Sequence, residues 1–306
     1  MNDVFKLSLL IMLFNLSVVY AAEVRSVEWG TANASAPAKV MVNGRDVTGT
    51  IRYAVSHSPE PLVMQLSGLG GEMLGLKKQQ NRQLQRLTSS YYKKMSLEIK
   101  EGEFPAVPSA LSYCYSDKKP SKGFANVYLP SGFHKNSSVV VFLHGYGGSF
   151  SFYMHYMAKV FPEHIIVCPA YGISMSRVND RYIAECKLAV EKEIGHKLTK
   201  PLLVGLSAGG TGGFRHYQRQ MADYRKFICM VSLPPRDVVK VMPKNAKVAL
   251  IAGGEEGFVK SGLLARRVRQ MNLKHYEQVI VKGHGHFLML SDQEQTMQTL
   301  RELARK

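Results

Sequence analysis

The sequence predicts an α/β fold in which a mostly parallel central sheet carries helices on both faces. Two observations predict it. From about residue 104 onward, apolar runs of strand length alternate with longer segments of helical periodicity, which is the pattern of repeated βα units. Runs such as 138–143 are almost continuously apolar, as is typical of parallel strands buried on both faces.

The composition is that of a globular protein. Of the 306 residues, 45% are hydrophobic and 21% are charged, so the chain can bury a sizeable core. This excludes a wholly disordered, collagen-like or repeat-only protein. Lys and Arg number 40 against 23 Asp and Glu, which leaves a formal charge of +17. Such a surplus favours an anionic surface or substrate, whereas no specific nucleic-acid partner is expected.

The first 21 residues are predicted to be a signal peptide. Lys6 precedes an apolar run at 7–14, which is shorter than the roughly 20 residues that a membrane-spanning helix needs. Val19 and Ala21 fit cleavage after Ala21, and an uncleaved anchor is the alternative. We therefore expect a secreted protein, in a periplasmic or extracellular location.

Residues 22–103 are predicted to form a small β-rich region followed by a helix. Asn43-Gly44 is a hairpin turn signal, because both residues tolerate the positive φ that such turns need. Short β-type runs cover residues 24–29, 39–42, 50–55 and 62–66.

The helix predicted in this region is basic and amphipathic. Its apolar residues recur at helical spacing from Leu84 to Met95. No acid separates its basic residues, which are Lys77, Lys78, Arg82, Arg86, Lys93 and Lys94. This pattern indicates either contact with an anionic surface or a helix face that is simply solvated.

Residues 104–306 are predicted to form the α/β domain itself. Strands are predicted at 124–128, 139–143, 165–168, 202–205, 227–232, 248–252 and 278–281. Helices are predicted at 151–161, 180–194, 211–224, 261–271 and 292–306. In such a fold, functional side chains lie beyond the carboxyl ends of the strands, where loops lead into helices.

A glycine-rich turn follows the predicted strand at 202–205. The sequence there is Gly205-Leu206-Ser207-Ala208-Gly209-Gly210, and a helix comes next. This arrangement is typical of a nucleophile elbow, which holds a serine at the tip of a sharp turn. Small residues are needed around the serine, because side chains there would collide with neighbouring backbone. We therefore predict that Ser207 is a catalytic nucleophile.

A second glycine-rich turn, His144-Gly145-Tyr146-Gly147-Gly148, follows the strand at 139–143. A tetrahedral oxyanion needs two donors fixed in advance. We expect the backbone N–H groups of Tyr146 and Ala208 to supply them. A phosphate-binding turn is the alternative, but no Lys-Ser/Thr pair and no Gly-x-Gly-x-x-Gly spacing is present.

A serine nucleophile needs a base, and two of the ten histidines lie just past the last predicted strand. His286 is preferred, because the adjacent Phe287 can anchor its loop, and His284 is the alternative. His144 is predicted to be a structural residue of its turn. The other seven histidines are assigned to packing or to the surface.

The base in turn needs an orienting carboxylate. Glu256 follows the strand at 248–252 and is preferred, with Glu255 as its competitor and Asp237 as a third candidate. The chain order of serine, acid and histidine is the one expected when the three occupy successive strand ends of one sheet.

The cysteines give no sign of metal or redox chemistry. None of Cys114, Cys168, Cys186 and Cys229 belongs to a CxxC motif. Export would permit disulfides among them, with three full pairings open. Cys168 and Cys229 lie in apolar runs, which favours buried thiols. We expect no metal and no organic cofactor.

Residues 110–306 resemble the α/β-hydrolase superfamily, particularly secreted esterases of the feruloyl-esterase and polyhydroxyalkanoate-depolymerase kind. The segments that carry the resemblance are residues 127–132, 144–148, 205–210 and 285–287. It implies hydrolysis of esters through a serine acyl-enzyme. Glu256 departs from the family pattern, because the family more often has Asp as the acid.

These observations predict a secreted serine hydrolase of carboxylic esters, whose substrate could be polymeric or acidic. A peptidase of the prolyl-oligopeptidase type shares the elbow, but about 80 leader residues cannot build the propeller that usually precedes such a domain. The other alternative is a non-catalytic secreted protein that binds a polyanion on a hydrolase scaffold.

Overall fold

The structure is a computed structural model that describes residues 21–31, 39, 41–42, 44–50, 53, 78–114, 122–134, 136–146 and 149–306. The strands in these residues are β1 (Glu23–Gly30), β2 (Met41–Val42), β3 (Arg45–Asp46), β4 (Lys122–Leu129), β5 (Val139–Leu143), β6 (Ile165–Ala170), β7 (Leu202–Leu206), β8 (Lys226–Met230), β9 (Lys247–Gly253) and β10 (His275–Val281).

Long and short helices alternate with these strands. They are α1 (Lys78–Lys100), α2 (Leu111–Cys114), α3 (Phe150–Val160), α4 (Asp180–Ile194), α5 (Ala208–Gln220), α6 (Arg236–Val239), α7 (Gly257–Lys260), α8 (Leu263–Met271), α9 (Leu288–Ser291) and α10 (Gln293–Arg305). None of the helices in the described part of the chain combines the length and the apolar character needed to cross a bilayer.

Eight strands form the central sheet, in the order β1-β4-β6-β5-β7-β8-β9-β10, while β2 and β3 pair separately. Strand β4 is antiparallel to both of its neighbours, and every other neighbouring pair is parallel. From β5 the chain passes to β6 on one side and then returns to β7 on the other side. The strand order therefore reverses beside β5, and a ligand crevice forms at such a point, beyond the carboxyl ends of β5 and β7.

The sheet is covered on both faces, so the core has two halves. In β5, Val140 and Phe142 belong to one half, whereas Val139, Val141 and Leu143 belong to the other. The first half lies beneath α1, α3, α9 and α10, and the second lies beneath α4, α5, α6 and α8. Because successive side chains of a strand point to opposite faces, this double burial explains why the β5 sequence is apolar throughout.

The predicted α/β fold is confirmed. Each strand and helix predicted within residues 104–306 is present close to its predicted bounds. The short helices α2, α6, α7 and α9 have no counterpart among the predicted elements, because four residues are too few to show a helical period.

All four cysteines are buried free thiols, so the predicted burial of Cys168 and Cys229 is confirmed.

The leader region contributes directly to the central sheet. Strand β1 pairs along its whole length with β4, so the sheet crosses the boundary predicted at residue 103. The predicted hairpin is present as β2 and β3 around Gly44, whose φ is 75°.

The prediction of a strand at 50–55 is wrong for the two residues of this range that the structure describes, because Thr50 and Tyr53 are helical. Asp46 accepts a hydrogen bond from the Thr48 N–H (2.9 Å), and such a local side-chain bond favours a helical turn over a strand. The run at 62–66 and the signal peptide up to residue 20 lie outside the described residues.

Helix α1 is fastened to α3 by a buried polar network. Glu98, which is 8% exposed, accepts hydrogen bonds from His155 Nε2 and Lys159 Nζ, each at 2.8 Å. The Tyr91 hydroxyl donates to the other ring nitrogen of His155 (2.7 Å). Burial alone would raise the pKa of Glu98, but the bonds from Lys159 and His155 lower it. The carboxylate is therefore held in its charged form.

Replacing Glu98 tests this attachment. Glu98→Gln should lower the free energy of unfolding by about 1–3 kcal/mol, because it leaves the buried donor His155 and the partly exposed Lys159 without their charged acceptor. Since the pKa of Glu98 is lower in the fold than its ordinary value of 4.5, the carboxylate stabilises the fold above that pH and less as the pH falls. The difference from the unsubstituted protein should therefore shrink below about pH 4.5.

Urea unfolding followed by circular dichroism measures the effect of Glu98→Gln. Glu101→Gln is the matched control, because Glu101 is exposed in the turn after α1 and should change the stability by less than about 0.5 kcal/mol. Equal losses in the two variants would contradict the proposed attachment.

Candidate active site

Ser207 lies at the tip of the turn between β7 and α5. Its φ of 52° and ψ of −112° fall in a region that favours glycine, as expected for the serine of a nucleophile elbow. Its N–H donates to the Met230 carbonyl of β8 (2.9 Å), and its carbonyl accepts from the Thr211 N–H (3.1 Å). Tertiary structure thus holds a strained serine at the edge of the cleft.

The glycines on either side of Ser207 are required by close backbone contacts. A Cβ on Gly205 would lie 2.5 Å from the Gly209 carbonyl oxygen, and a Cβ on Gly209 would lie 2.1 Å from the Leu143 carbonyl oxygen. Both distances are far below van der Waals contact. The packing of α5 against the end of β5 therefore requires small residues at these two positions, as the sequence predicted.

The loops after β9 and β10 bring Glu256 and His286 to Ser207. The Ser207 hydroxyl lies 2.9 Å from His286 Nε2, and His286 Nδ1 lies 2.9 Å from a carboxylate oxygen of Glu256. An ionised carboxylate can only accept a hydrogen bond, so Nδ1–H donates to Glu256 and Nε2 accepts from Ser207. The structure therefore joins the three preferred residues in one hydrogen-bonded chain.

Backbone contacts fix these two loops against each other. The Glu255 N–H donates to the His284 carbonyl (2.9 Å), and the Gly254 N–H donates to the Val281 carbonyl (2.8 Å). Glu256 lies immediately before α7, and its side chain is only 12% exposed. The acid and the histidine are thus held in place by main-chain bonds between successive strand ends.

The alternative residues have other partners. The His284 ring lies 2.8 Å from the Ser291 hydroxyl and 3.7 Å from Asp292. Glu255 is exposed and pairs with Lys260. Asp237 binds Arg215 (2.8 Å) on the surface. None of the three alternatives belongs to the chain that contains Ser207.

The two predicted oxyanion donors follow the neighbouring strands β7 and β5. Ala208 is the first residue of α5, so its N–H has no acceptor within the helix, and the helix dipole favours negative charge there. Tyr146 follows β5 and lines the same cleft as Ser207. Gly147 and Gly148 of this turn lie outside the described residues.

His144 fixes the peptide that carries the Tyr146 N–H. Its Nε2 accepts from the Tyr171 N–H (3.2 Å), so its Nδ1 carries a proton and donates to the Gly145 carbonyl (2.6 Å). In a planar trans peptide the carbonyl and the N–H point in opposite directions. The bond to the Gly145 carbonyl therefore also fixes the direction of the Tyr146 N–H, which points away from His144. Burial lowers the pKa of His144 to about 4. His144 is therefore neutral near pH 7, which agrees with its predicted structural role.

The cleft at Ser207 is mostly apolar. It has a volume of about 180 Å³ and contains side chains of α1, α3, β7 and the loop after β10. The residues from α1 are Leu84, Thr88 and Tyr92. Their position at the site could not be predicted from the sequence, because helical spacing indicates a buried face but not what that face covers.

The described residues contain no group of three or more His, Cys, Asp or Glu side chains that could hold a metal ion. The chemistry that the site offers is nucleophilic. The serine hydroxyl can transfer its proton to His286, and Glu256 can stabilise the resulting imidazolium.

The fold and this site together define the class of the protein. The mostly parallel sheet, the serine elbow between β7 and α5, and the histidine after β10 give the α/β-hydrolase fold. The chain therefore has this fold, as its sequence predicted.

Comparison with known proteins finds similarities among solved structures. No protein-family model and no curated protein matches the chain. Similar solved structures include a ferulic acid esterase (18% identity, TM-score 0.46, 59% of this chain and 90% of that one). Another is the S-formylglutathione hydrolase of Staphylococcus aureus (14% identity, TM-score 0.47, 59% of this chain and 89% of that one). A third is a predicted CIB-like hydrolase of Thermoplasma acidophilum (16% identity, TM-score 0.47, 60% of this chain and 92% of that one).

Substitution of Gly209 tests the geometry of the elbow. Gly209→Ala should disrupt the turn or unfold the protein, because the new Cβ would lie 2.1 Å from backbone that cannot move aside. We expect a loss of at least about 3 kcal/mol in stability, or loss of fluorophosphonate labelling of Ser207 in any protein that remains folded. Thermal unfolding and labelling measure the two effects.

The matched control for Gly209→Ala is Gly30→Ala. Gly30 ends the edge strand β1, and a Cβ there would meet nothing within 4 Å. This control should keep both its stability and its labelling. A Gly209→Ala protein as stable and as readily labelled as the control would show that the turn tolerates a side chain.

Proposed function

We propose that this protein is a serine hydrolase that cleaves carboxylic esters through an acyl-enzyme. The observation that carries the proposal is the hydrogen-bonded chain from Glu256 through His286 to Ser207, with both hydrogen bonds at 2.9 Å. Ser207 and His286 line a cleft, so an ester can reach the serine hydroxyl. A serine at a strained elbow beside a base is suited to acyl transfer.

The first half of the proposed reaction forms the acyl-enzyme. Ser207 Oγ attacks the acyl carbonyl carbon while His286 Nε2 takes the hydroxyl proton, and Glu256 stabilises the imidazolium. The N–H groups of Ala208 and Tyr146 hold the negative oxygen of the tetrahedral intermediate. The intermediate then collapses, the bond to the alcohol oxygen breaks, and His286 returns the proton to that oxygen.

The second half releases the acid. A water molecule attacks the acyl carbonyl carbon, and His286 takes one of its protons. Collapse of the second tetrahedral intermediate breaks the bond to Ser207 Oγ, which regains a proton from His286. The products are a carboxylic acid and an alcohol, and the residues return to their starting states.

The lining of the cleft favours an ester over a peptide. A peptidase must bind a polar main chain on both sides of the bond that it cleaves, whereas the residues that line this cleft are mainly aliphatic and aromatic. The non-catalytic alternative accounts less well for the aligned residues, because an inactive scaffold has no need of a histidine between a serine and a carboxylate.

Three substitutions test the proposed triad. Ser207→Ala or His286→Ala should lower kcat for p-nitrophenyl acetate by at least about 10⁴-fold, because each removes a group that takes part in bond making. Glu256→Gln should lower it by about 10²–10⁴-fold, since the base loses its charged partner. Steady-state kinetics measures these losses, and circular dichroism checks the fold.

The control variants for the triad carry the same chemical changes at nearby acids. Glu255→Gln and Asp237→Asn should stay within about threefold of the unsubstituted enzyme, because both side chains are surface ion-pair partners. Full activity of Ser207→Ala, or an equal loss in Glu255→Gln, would overturn the assignment.

We further propose that the outer face of α1 contacts an anionic lipid surface. Its basic residues Lys78, Arg82, Arg86 and Lys93 are exposed, and the described residues supply no ion-pair partner for them. The first three are spaced four apart, so they repel one another, and no acid in the first turn offsets them. Leu97 is 53% exposed near the other end of the helix. Cations together with an exposed apolar side chain suit a lipid surface better than a soluble polyanion.

Vesicle binding tests this contact. The protein should bind phosphatidylglycerol–phosphatidylcholine vesicles in low salt and be released by added salt. Replacing Arg82, Arg86 and Lys93 by Gln should weaken binding by about a hundredfold, at about 1 kcal/mol for each basic residue. Co-sedimentation measures the bound fraction.

The matched control replaces three exposed cations by Gln on the other side of the sheet from α1. They are Lys244, Arg266 and Arg269. It has the same net charge as the α1 variant but should bind vesicles almost as well as the unsubstituted protein. Equal losses in both variants, or equal binding to pure phosphatidylcholine, would show that α1 is not the contact.

A further inference from the structure

Helix α1 forms one wall of the cleft at Ser207. Leu84, Thr88 and Tyr92 are spaced four residues apart, so they lie along one side of the helix, and all three line the cleft. The other walls come from α3, through Phe152, and from the loop and helix after β10, through Leu290. A segment far from the elbow in sequence therefore shapes the space beside the nucleophile.

This wall is fixed in place. Tyr92, which is 2% exposed, hydrogen-bonds through its hydroxyl to the Ser149 hydroxyl just before α3. One residue away, Tyr91 binds His155, which in turn binds Glu98. Since α1 is attached to α3 at both contacts, its inner side chains can set a definite limit to the cleft.

The cleft carries no formal charge. No Asp, Glu, Lys or Arg is found among the described residues that line it. Its polar side chains carry hydroxyls, apart from the imidazole of His286, which belongs to the triad. A charged group that entered this space would lose its hydration without gaining an ion-pair partner, which is unfavourable.

The size of the cleft limits what can fill it. A volume of about 180 Å³ is slightly larger than the 150 Å³ apolar cavity that holds benzene in another protein. The space therefore suits an aliphatic or aromatic group of about six to eight carbons.

We propose that this cleft binds the acyl group of the substrate, and that the acyl group is uncharged, apolar and about six to eight carbons long. Leu84 and Thr88 then determine its maximum length. The inference rests on the proposed ester hydrolysis and adds the substrate class to it. It also separates two roles of α1, because the cations lie on the exposed face and the acyl group contacts the inner face.

A series of p-nitrophenyl esters tests the acyl preference. Between acetate and hexanoate, kcat/KM should rise about fourfold for each added methylene, which is the effect of burying one such group. It should stop rising near octanoate, where the cleft is full. The half-ester of adipic acid has the length of hexanoate but ends in a carboxylate, and its kcat/KM should be at least tenfold lower than that of hexanoate.

Substitutions on α1 test which residues set the length. Leu84→Trp should reduce the ratio of kcat/KM for hexanoate to that for acetate by at least tenfold, because the indole would occupy the cleft. Leu84→Ala should shift the preferred chain to one that is longer by about two carbons. Ser90→Trp places the same indole on the exposed face of the helix, outside the proposed lipid contact, and should leave the ratio unchanged.

The outcomes separate this inference from the proposed function. Inactivity of the unsubstituted protein toward every ester in the series would overturn the ester hydrolysis itself. An active enzyme with a flat chain-length profile, a preference for the adipate half-ester, or equal ratios in Leu84→Trp and Ser90→Trp would overturn the acyl assignment alone.

Discussion

The close approach of α5 to the end of β5 is the constraint on which the site depends. Without side chains at Gly205 and Gly209, the start of the helix comes within backbone contact of Leu143 and His144. That contact puts the serine elbow beside the turn that carries Tyr146, at the point where the strand order reverses. The nucleophile and both proposed oxyanion donors thus share one small region of backbone.

The catalytic geometry proposed for this protein is held mainly by main-chain bonds. The loops after β9 and β10 are joined through the Glu255 N–H and the His284 carbonyl, so the positions of Glu256 and His286 depend on the register of two strands. Buried His144 contributes in a similar way. It stays neutral and uses both ring nitrogens to orient backbone groups, and this leaves His286 as the histidine bonded to the serine.

Helix α1 links the leader region to the site. Its inner face combines a buried network around Glu98 with three residues of the cleft, whereas its outer face carries cations that repel one another. The tertiary contacts of the inner face stabilise a helix whose own charge pattern does not. A surface contact and an acyl pocket on the two faces of one helix would place an ester substrate close to the nucleophile.

The sequence alone determined the α/β fold, the elbow and the preferred residues of the site, because strands of continuous apolar residues, a sharp glycine turn and residues at strand ends leave local signals. The sequence did not decide between His284 and His286, or between Glu255 and Glu256. Nearby residues of one loop have similar local signals, and they differ mainly in the direction in which their side chains point. Only the tertiary structure decided which of them meet Ser207, that β1 joins the central sheet, and that α1 lines the cleft. These features depend on contacts between segments far apart in the chain, which no local pattern records.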